Sequence, residues 1–234
     1  MKISTFVIAL VILTAAILRF WNLDKLTTFS GDQGYDFLVV KHIVADADLT
    51  LLGPKIGPYN GIGNLYLGPA YYYILAPSLF ISNLDPVGPA ALTATFAVFT
   101  ILLIYLFAKK FLNEQVGIIA ATLFGINSFL ISQSRAASNP HLTPFFAIVF
   151  LYSLLQSQEK NSKIFWAILS GVCLGIMFQL HYLAASLAPL FLLFLIRKMP
   201  KQFAASAAGF VFVMLPQIAF EIKNEFFVTN LFIK

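Results

Sequence analysis

The sequence predicts an all-α integral membrane protein with about seven transmembrane helices and further interfacial helices in its first outer loop. Of the 234 residues, 59% are apolar and only 11% are charged, whereas a soluble domain carries about 25% charged residues. The apolar residues form runs close to the roughly 17–25 residues that cross a bilayer. The basic residues are scattered between these runs, so the net charge of +5 indicates a membrane protein and not a nucleic-acid-binding one.

The first predicted span, Ile3–Phe20, is expected to be retained, because no small-x-small cleavage site closes it. Arg19, Phe20 and Trp21 instead suit an aromatic anchor at its outer end. Six more runs are predicted to cross the membrane: Pro86–Ala108, Val116–Ser132, Leu142–Gln156, Ile164–Leu180, Tyr182–Ile196 and Phe203–Phe220.

The long segment between the first two spans, residues 21–85, is predicted to be an outer loop with interfacial helices near 32–45 and 68–81. The stretch 68–81 is apolar but only about 14 residues long, which is too short for a full span. Its three consecutive tyrosines, Tyr71, Tyr72 and Tyr73, suit the headgroup level, where aromatic side chains collect.

The distribution of charge predicts the orientation. The loops on the amino-terminal side hold eight basic and two acidic residues: Lys2, Lys109, Lys110, Lys160, Lys163, Arg197, Lys198, Lys201, Glu114 and Glu159. The opposite side holds seven basic and eight acidic residues: Arg19, Lys25, Lys41, Lys55, Arg135, Lys223, Lys234, Asp24, Asp32, Asp36, Asp46, Asp48, Asp85, Glu221 and Glu225. The positive-inside rule therefore places the amino terminus in the cytoplasm. We expect residues 1–234 to form one membrane module that is part of a longer protein, because the chain ends just after the last predicted span.

Four separate stretches bring less ordinary polar residues to the outer face. Their members are Asp32, Gln33 and Asp36 in the first outer loop, Arg135, Asn139 and His141 in the second, Gln179, His181 and Tyr182 between spans five and six, and Glu221 after span seven. Ionisable groups at membrane depth cost about 2.5–3.5 kcal/mol each, so they usually face a cavity or a partner. A polar cavity at the outer boundary is the expected arrangement.

Each of these residues also has a purely structural interpretation. Asp32 and Asp36 can be loop residues or caps of the helix that follows, and Arg135 can be a boundary anchor. His141 can cap the next span, Gln179 and His181 can form a packed pair, and Glu221 can simply end a helix. Cys173 is expected to be a small packing residue. The sequence contains no phosphate loop, no His-Glu-x-x-His motif and no Gly-x-Ser-x-Gly motif.

The motifs together resemble bacterial membrane glycosyltransferases of the GT-C fold, related to dolichyl-phosphate-mannose protein mannosyltransferases and to lipid A aminoarabinose transferase. The resemblance runs over essentially the whole chain and is strongest in the first outer loop and at Gln179–Tyr182. It is carried by Gly31-Asp-Gln-Gly-Tyr-Asp36, Leu51-Leu-Gly-Pro54, Tyr66-Leu-Gly-Pro-Ala-Tyr-Tyr-Tyr73, Ser134-Arg135, Asn139-Pro140, Gln179-Leu-His-Tyr182 and Phe220-Glu221.

The resemblance implies an inverting enzyme of the plasma membrane, with its active site on the extracytoplasmic face. Such enzymes transfer a sugar from a polyprenyl-phosphate carrier to an acceptor hydroxyl on a lipid, glycan or protein. Asp32 matches the family's essential carboxylate and is the expected base, whereas Gln33 occupies the position of a family Glu and departs from the pattern.

Arg135, helped by His181, is expected to hold the carrier phosphate, because cationic groups stabilise the charge of the leaving phosphate. The remaining expected substrate-binding residues are Asp36, Gln33, Asn139, His141, Gln179, Tyr182 and Glu221. No cofactor is required; a divalent metal is compatible but not indicated, since one phosphate chelates metal less strongly than a diphosphate.

Two other functions are compatible with the same polar residues and predicted spans. A transporter or flippase for lipid-linked sugars would use the same polar cavity, but it favours internal repeats and paired broken helices, and the sequence shows neither. A non-catalytic membrane scaffold is the other alternative.

Overall fold

The predicted spans coincide with helical segments, two of which are interrupted. The computed structural model describes residues 3–56 and 65–233, with side chains except at residue 195 and residues 231–233. Lys2 and Lys234, two of the charges counted above, and residues 57–64 of the predicted outer loop lie outside the described residues. The α-helices are α1 Ile3–Phe20, α2 Leu23–Leu26, α3 Gly31–Asp46, α4 Ala70–Ile81, α5 Val87–Phe111, α6 Glu114–Ile126, α7 Ser128–Ser134, α8 Thr143–Ser157, α9 Ile164–Leu180, α10 Leu192–Ile196, α11 Pro200–Lys223 and α12 Phe227–Ile233. Two 3₁₀ helices, Asn139–Leu142 and Tyr182–Phe191, and two short strands, β1 Lys55–Ile56 and β2 Leu65–Tyr66, complete the described part.

Helix length and apolar character identify the membrane-crossing candidates. Within the described residues, the three helices α1, α5 and α11 are long and apolar enough to cross a bilayer. The bent pair α6 and α7 is a fourth candidate, and α4, α9 and the segment Tyr182–Phe194 are shorter apolar helices. The chain is therefore a helical membrane protein, and the number of seven spans stays a prediction.

The predicted span Val116–Ser132 differs from the structure, because the helix breaks at Asn127 and turns by 63° between α6 and α7. Asn127 is in the extended conformation, and its side chain accepts a hydrogen bond from the Leu130 N–H at 3.0 Å. Asparagine is a favourable N-cap because its side-chain oxygen pairs with an unsatisfied N–H of the first turn. Apolar residues flank Asn127 and Ser128 on both sides, so the length of the whole segment alone did not indicate the break.

Arg19, near the end of α1, caps the C-terminal end of α6. Its side chain is fully buried and donates hydrogen bonds to the carbonyl oxygens of Gly125 at 2.8 Å, Ala15 at 3.2 Å and Phe124 at 3.3 Å. The carbonyls at a helix C-terminus have no partner within the helix and carry partial negative charge, which a guanidinium stabilises. Arg19, one of the charges counted on the outer side, is therefore buried in the packed structure of the first unit.

The predicted span Tyr182–Ile196 also differs from a regular α-helix. Residues Tyr182–Phe191 form a 3₁₀ helix, and only Leu192–Ile196 continue as α-helix. Pro189 lies inside the 3₁₀ segment. Proline has no N–H and clashes with the carbonyl four residues earlier, so it disfavours α-helix at this point.

The chain divides into two compact units. The first comprises Met1–Val44 and Leu75–Ile148, and the second comprises Ala45–Ile74 and Val149–Lys234. In the first unit α1, α5 and α6 pack against one another. Their shared core consists of the buried residues Ile8, Ala15, Ile101, Tyr105 and Ala121.

In the second unit, α9 packs closely along α11. The contact uses small residues: the hydroxyls of Ser170 and Ser206 lie 2.7 Å apart, and Gly171 and Gly209 leave no room for a side chain. A Cβ atom on Gly171 would lie 1.7 Å from the Ser206 carbonyl oxygen. Small residues that allow close backbone approach are typical of membrane helix pairs.

Cys173 is buried on α9, which confirms the predicted packing role.

Gly171→Ala is expected to lower the free energy of unfolding by about 1–3 kcal/mol, because overpacking forces backbone shifts. The reduced stability would be measured by thermal unfolding of the purified protein in detergent. Gly31→Ala is the matched control, since a Cβ at Gly31 would meet nothing within 4 Å. Equal melting temperatures for the two variants would contradict the assigned α9–α11 contact.

Two helices lie within the predicted outer loop, α3 over Gly31–Asp46 and α4 over Ala70–Ile81. α4 has 12 residues, or roughly 18 Å at 1.5 Å per residue, against about 30 Å of hydrocarbon. Before α4, β1 and β2 pair in antiparallel register, with Lys55 opposite Tyr66. The interfacial position of α3 and α4 and the single module over 1–234 stay predictions.

The predicted orientation places position 110 in the cytoplasm and positions 32 and 135 outside. Single cysteines at these positions, in a chain whose Cys173 is replaced, should therefore differ in labelling by an impermeant thiol reagent on intact cells. Positions 32 and 135 should react, and position 110 should react only after lysis. Labelling of position 110 in intact cells would contradict the orientation.

Candidate functional site

The start of α3 presents the acidic residues of the first unit. The Ser30 N–H donates to the side-chain oxygen of Gln33 at 2.7 Å, and the Gly34 N–H donates to the Ser30 carbonyl at 3.0 Å. This is one half of a capping box, in which the third helical residue pairs with the backbone of the cap. Asp32 lies exposed in the first turn, whereas Asp36, one turn later, is only 6% exposed. Of the two carboxylates, Asp32 is the one that solvent reaches.

Gln33 connects this turn to the second polar stretch. Its side chain is buried, and its amide nitrogen donates to the Ala137 carbonyl at 2.8 Å. Because Ala137 follows Arg135 by two residues, the bond fixes the Asp32 turn to the Arg135 segment. The amide therefore uses both its oxygen and its nitrogen for structure. An ionised Glu could accept from Ser30 but could not donate to Ala137.

Gln33→Glu is accordingly expected to destabilise the first unit by about 1–3 kcal/mol, the cost of leaving a buried polar group unpaired. The loss would be measured as a lower melting temperature, together with faster proteolysis near residues 28–34. Gln202→Glu, a change of the same charge at a half-buried position of α11, should melt like the parent. An unchanged melting temperature in Gln33→Glu would exclude the connecting role.

Arg135 ends α7 and is half-buried. One of its terminal N–H groups donates to the Leu18 carbonyl at the end of α1. A guanidinium has five N–H donors, so this bond holds the side chain in place and leaves capacity for an anion. Arg19 is close enough to repel it electrostatically. Two guanidinium groups near one position create a local positive potential.

His141 and Asn139 lie in the first 3₁₀ helix, which starts at Asn139. The Nδ1 atom of His141 lies 2.7 Å from the Ala136 carbonyl oxygen, so Nδ1 carries the proton and donates. Burial lowers the pKa of His141 below its ordinary value, which favours the neutral ring at pH 7. Its Nε2 atom is then an acceptor. Asn139 is half-buried.

A cavity of about 290 Å³ opens beside this stretch in the first unit. Its walls are largely phenyl rings, those of Phe96, Phe124, Phe129 and Phe145, and its polar residues are Thr100, Gln133, Ser134 and His141. Ser134 directly precedes Arg135 in the sequence. The cavity thus suits an apolar chain that ends in a polar group.

In the second unit, Gln179 holds three segments together. Its amide oxygen accepts from the Ala70 N–H at 3.1 Å, and its amide nitrogen donates to the Val213 carbonyl at 2.8 Å. The side chain packs on Gly68, where a Cβ would lie 2.3 Å from the Gln179 Cγ. Gly53 lies against Gly68 with similarly little space. The Gly-Pro motifs and Gln179 therefore have a structural role here.

His181, Tyr182 and Glu221 also have structural partners in this unit. His181 caps the second 3₁₀ helix by accepting from the Leu183 N–H at 3.2 Å, and the Tyr182 hydroxyl donates to the Tyr66 carbonyl. The Glu221 carboxylate accepts from the N–H groups of Val228 at 3.0 Å and Thr229 at 2.9 Å, so it caps α12. Each of the three residues thus has a structural partner, but the partner of His181 differs from the Gln179 that was predicted; substrate contact by the three residues stays a prediction.

The structure thus brings Asp32, Gln33, Arg135 and His141 into one unit, while Gln179, His181, Tyr182 and Glu221 belong to the other. Across residues 3–56 and 65–233, no group of three or more His, Cys, Asp or Glu side chains forms a site for a metal ion. The metal requirement stays a prediction.

A protein-family model described as dolichyl-phosphate-mannose-protein mannosyltransferase matches residues 67–220, which is more than half of the chain. The chain belongs to this family. The match includes Arg135, His141, Gln179 and His181 but begins after Asp32, so the correspondence of Asp32 with the family carboxylate stays a prediction. No curated protein matches the chain significantly.

Two solved membrane proteins share the fold. The Archaeoglobus fulgidus oligosaccharyltransferase AglB, in complex with an inhibitory peptide and a dolichol-phosphate, matches with a TM-score of 0.66 at 16% identity, over 93% of this chain and 29% of its own. ArnT from Cupriavidus metallidurans, bound to undecaprenyl phosphate, matches with a TM-score of 0.69 at 14% identity, over 99% of this chain and 44% of its own. The fold is therefore GT-C, as predicted, and the chain spans less than half the length of these two proteins.

Two residues with distinctive surroundings were missed by sequence reasoning. Arg19 was assigned to the membrane boundary, and Gln217 was passed over inside an apolar run. Each is a strongly polar residue within a predicted span or at its end, and such residues usually face a partner or a cavity. That signal was present in the sequence for both.

Proposed function

We propose that the chain is the membrane core of a glycosyltransferase that transfers a sugar from a polyprenyl-phosphate carrier to an acceptor hydroxyl, with Asp32 as base. The observation that carries the proposal is the Gln33–Ala137 hydrogen bond of 2.8 Å. It joins the turn that bears an exposed carboxylate to the segment that bears Arg135. An acid–base group and an anion-binding group are the two parts that this reaction needs from the protein.

In the proposed reaction, the acceptor oxygen forms a bond to the anomeric carbon while the bond from that carbon to the phosphate oxygen breaks. The electron pair of the broken bond stays with the phosphate, and the hydroxyl proton passes to the Asp32 carboxylate. Attack from the face opposite the phosphate inverts the anomeric centre. The sugar passes through an oxocarbenium-like state, as in other glycosyl transfers.

Arg135 is proposed to bind the phosphate. Its anchored guanidinium stabilises the charge that the leaving phosphate gains, and preorganised charge of this kind is a large term in catalysis. No general acid is then needed, because phosphate leaves as an anion. The proposed mechanism requires no metal, although a divalent ion is compatible with it.

The carrier lipid is supported by two observations. AglB and ArnT, which share the fold, are described with dolichol-phosphate and undecaprenyl phosphate respectively. The phenyl-lined cavity of about 290 Å³ offers an apolar surface next to the Arg135 segment, which suits isoprene units attached to a phosphate. The acceptor is proposed to arrive from the extracytoplasmic side, and the charge distribution of the loops supports an outer position for Asp32.

Reconstituted proteoliposomes test the proposal. They would carry a polyprenyl-phosphate sugar with a radiolabel in the sugar, a candidate hydroxyl acceptor, and the purified chain. We expect acceptor-dependent appearance of label in a product that mild acid no longer releases. If the chain is instead a flippase, the labelled donor will cross to the other leaflet intact. No transfer with any lipid, glycan or protein acceptor would favour a scaffold.

A further inference from the structure

The second unit contains a cavity to which the proposed catalytic step assigns no role, although two of the predicted substrate-binding residues, Tyr182 and Glu221, line it. Its volume is about 400 Å³, and its residues come from the end of α9, the second half of α11 and the start of α12: Phe178, Tyr182, Met214, Gln217, Ile218, Glu221, Ile222, Phe226, Val228 and Thr229. Most of the lining is apolar. Among the residues that line it, the only ionisable side chains are the Tyr182 phenol and the Glu221 carboxylate. The cavity therefore suits a hydrocarbon chain and disfavours a phosphate.

Gln217 adds an unpaired polar group to this apolar cavity. Its side chain is only 7% exposed, and its amide oxygen meets no hydrogen-bond donor among the described residues. The Tyr182 hydroxyl forms a hydrogen bond with the Gln217 side chain. Its own proton is donated to the Tyr66 carbonyl, so it accepts from the Gln217 amide nitrogen and leaves the amide oxygen unpaired. A buried amide oxygen normally has a donor. One that lines a cavity without a donor indicates a ligand that supplies an O–H or N–H group.

Glu221 restricts the charge of that ligand. Its two carboxylate oxygens already accept from Val228, Thr229 N–H and the Thr229 hydroxyl, the last at 2.6 Å. These bonds hold a negative charge at the cavity wall without neutralising it. A neutral donor group is compatible with this wall, whereas a phosphate would be repelled and would lose its hydration without gaining a cation.

The position in α11 fits an amphiphile. Gln217 lies six residues before the last residue of this membrane-crossing candidate, Lys223, or roughly 9 Å along the helix axis. The amide is thus near one end of an apolar helix. A lipid whose hydrocarbon chain lies along α11 would place a terminal hydroxyl at this level.

We propose that this cavity binds a neutral lipid alcohol, with the lipid hydroxyl donating to the Gln217 amide oxygen and the hydrocarbon chain lying against Phe178, Met214 and Ile218. The site discriminates against lipid phosphates through Glu221. The proposal goes beyond sugar transfer and does not depend on it.

Photolabelling of the whole chain in nanodiscs tests the proposal. Three probes with the same photoreactive hydrocarbon chain would be compared: a primary alcohol, its methyl ether and its phosphate monoester. We expect the alcohol to label peptides from residues 214–229 about 3- to 10-fold more than the ether, which corresponds to one net hydrogen bond. The phosphate should label least.

Gln217→Leu should abolish the preference for alcohol over ether while retaining the hydrocarbon labelling. Gln202→Leu, at a half-buried position of the same helix, is the matched control and should keep the preference. Glu221→Gln should raise labelling by the phosphate relative to that by the alcohol; the two probes are compared within this variant, because the amide also loses part of the cap of α12. Equal labelling by alcohol and ether in the parent, or an undiminished preference in Gln217→Leu, would overturn the proposal. None of these readouts requires transferase activity, so failure of the proposed reaction would leave them intact.

Discussion

Asp32→Asn is expected to lower the turnover number by about 10²- to 10⁴-fold, the usual contribution of general-base catalysis. The amide keeps the size of the side chain but cannot take the acceptor proton. Because Asp32 is exposed at the start of α3 and asparagine has nearly the same shape, the fold and the affinity for the donor should change little. The measurement is the initial rate of sugar transfer at saturating donor, with the amount of folded protein determined for each variant.

Two companion variants make the Asp32 result specific. Asp36→Asn should cost less activity, because that carboxylate is buried and does not face the solvent from which the acceptor arrives. Its effect should appear partly as lost stability. Asp24→Asn, which removes an exposed carboxylate in α2, should leave turnover unchanged. Parent-like turnover in Asp32→Asn at equal folded protein would end its assignment as base and leave it a residue of the first helical turn.

Arg135→Ala is expected to weaken the apparent affinity for the donor by about 10- to 100-fold, the loss of one charged hydrogen-bonding partner for phosphate. Arg135→Lys should recover only part of it, because an ammonium lacks the planar fork of a guanidinium. The measurement is the rate as a function of donor concentration.

The Arg135 experiment needs a control for stability, since the same side chain donates to the Leu18 carbonyl. Melting temperatures of Arg135→Ala and Arg135→Lys would separate misfolding from lost binding. Arg197→Ala removes an exposed arginine beyond α10 and should leave the donor dependence as in the parent. An unchanged donor dependence in Arg135→Ala would exclude phosphate binding by this residue.

Much of the fold could be predicted from the sequence because the bilayer imposes simple rules. Backbone groups in hydrocarbon must pair internally, so long apolar runs become helices. The helices α1, α5, α9 and α11 accordingly begin and end within a few residues of the predicted limits. The length of the apolar stretch 68–81 distinguished it from the predicted spans, and it forms the 12-residue helix α4.

The interruptions could not be predicted in the same way, because they depend on contacts between distant residues. The α6–α7 bend at Asn127 leaves carbonyls that Arg19, more than 100 residues earlier, satisfies. Nothing in the sequence of the predicted span Val116–Ser132 indicates that contact. Pro189 disfavours a regular α-helix in Tyr182–Ile196, but a proline alone does not predict such a break, since Pro77 and Pro216 lie inside α4 and α11.

For the candidate site, the sequence indicated which polar residues are unusual, but it did not indicate what each of them does. The sequence correctly drew attention to Gln33, Gln179 and Glu221 as unusual, yet each has its hydrogen-bonding groups engaged within the protein. A polar residue near a membrane boundary can serve a ligand or a neighbouring backbone, and only the fold distinguishes the two. Gln217, which has an unsatisfied oxygen beside a cavity, is the opposite case.

The central claim is that this chain cleaves the bond between sugar and carrier phosphate, and the most direct measurement is the stoichiometry of that cleavage. Purified protein in nanodiscs would receive a doubly labelled donor, with one label in the sugar and another in the polyprenyl chain. The account predicts equal amounts of glycosylated acceptor and free polyprenyl phosphate, and loss of both products together in Asp32→Asn. Recovery of all polyprenyl label still attached to sugar, under conditions in which the protein binds the donor, would contradict it.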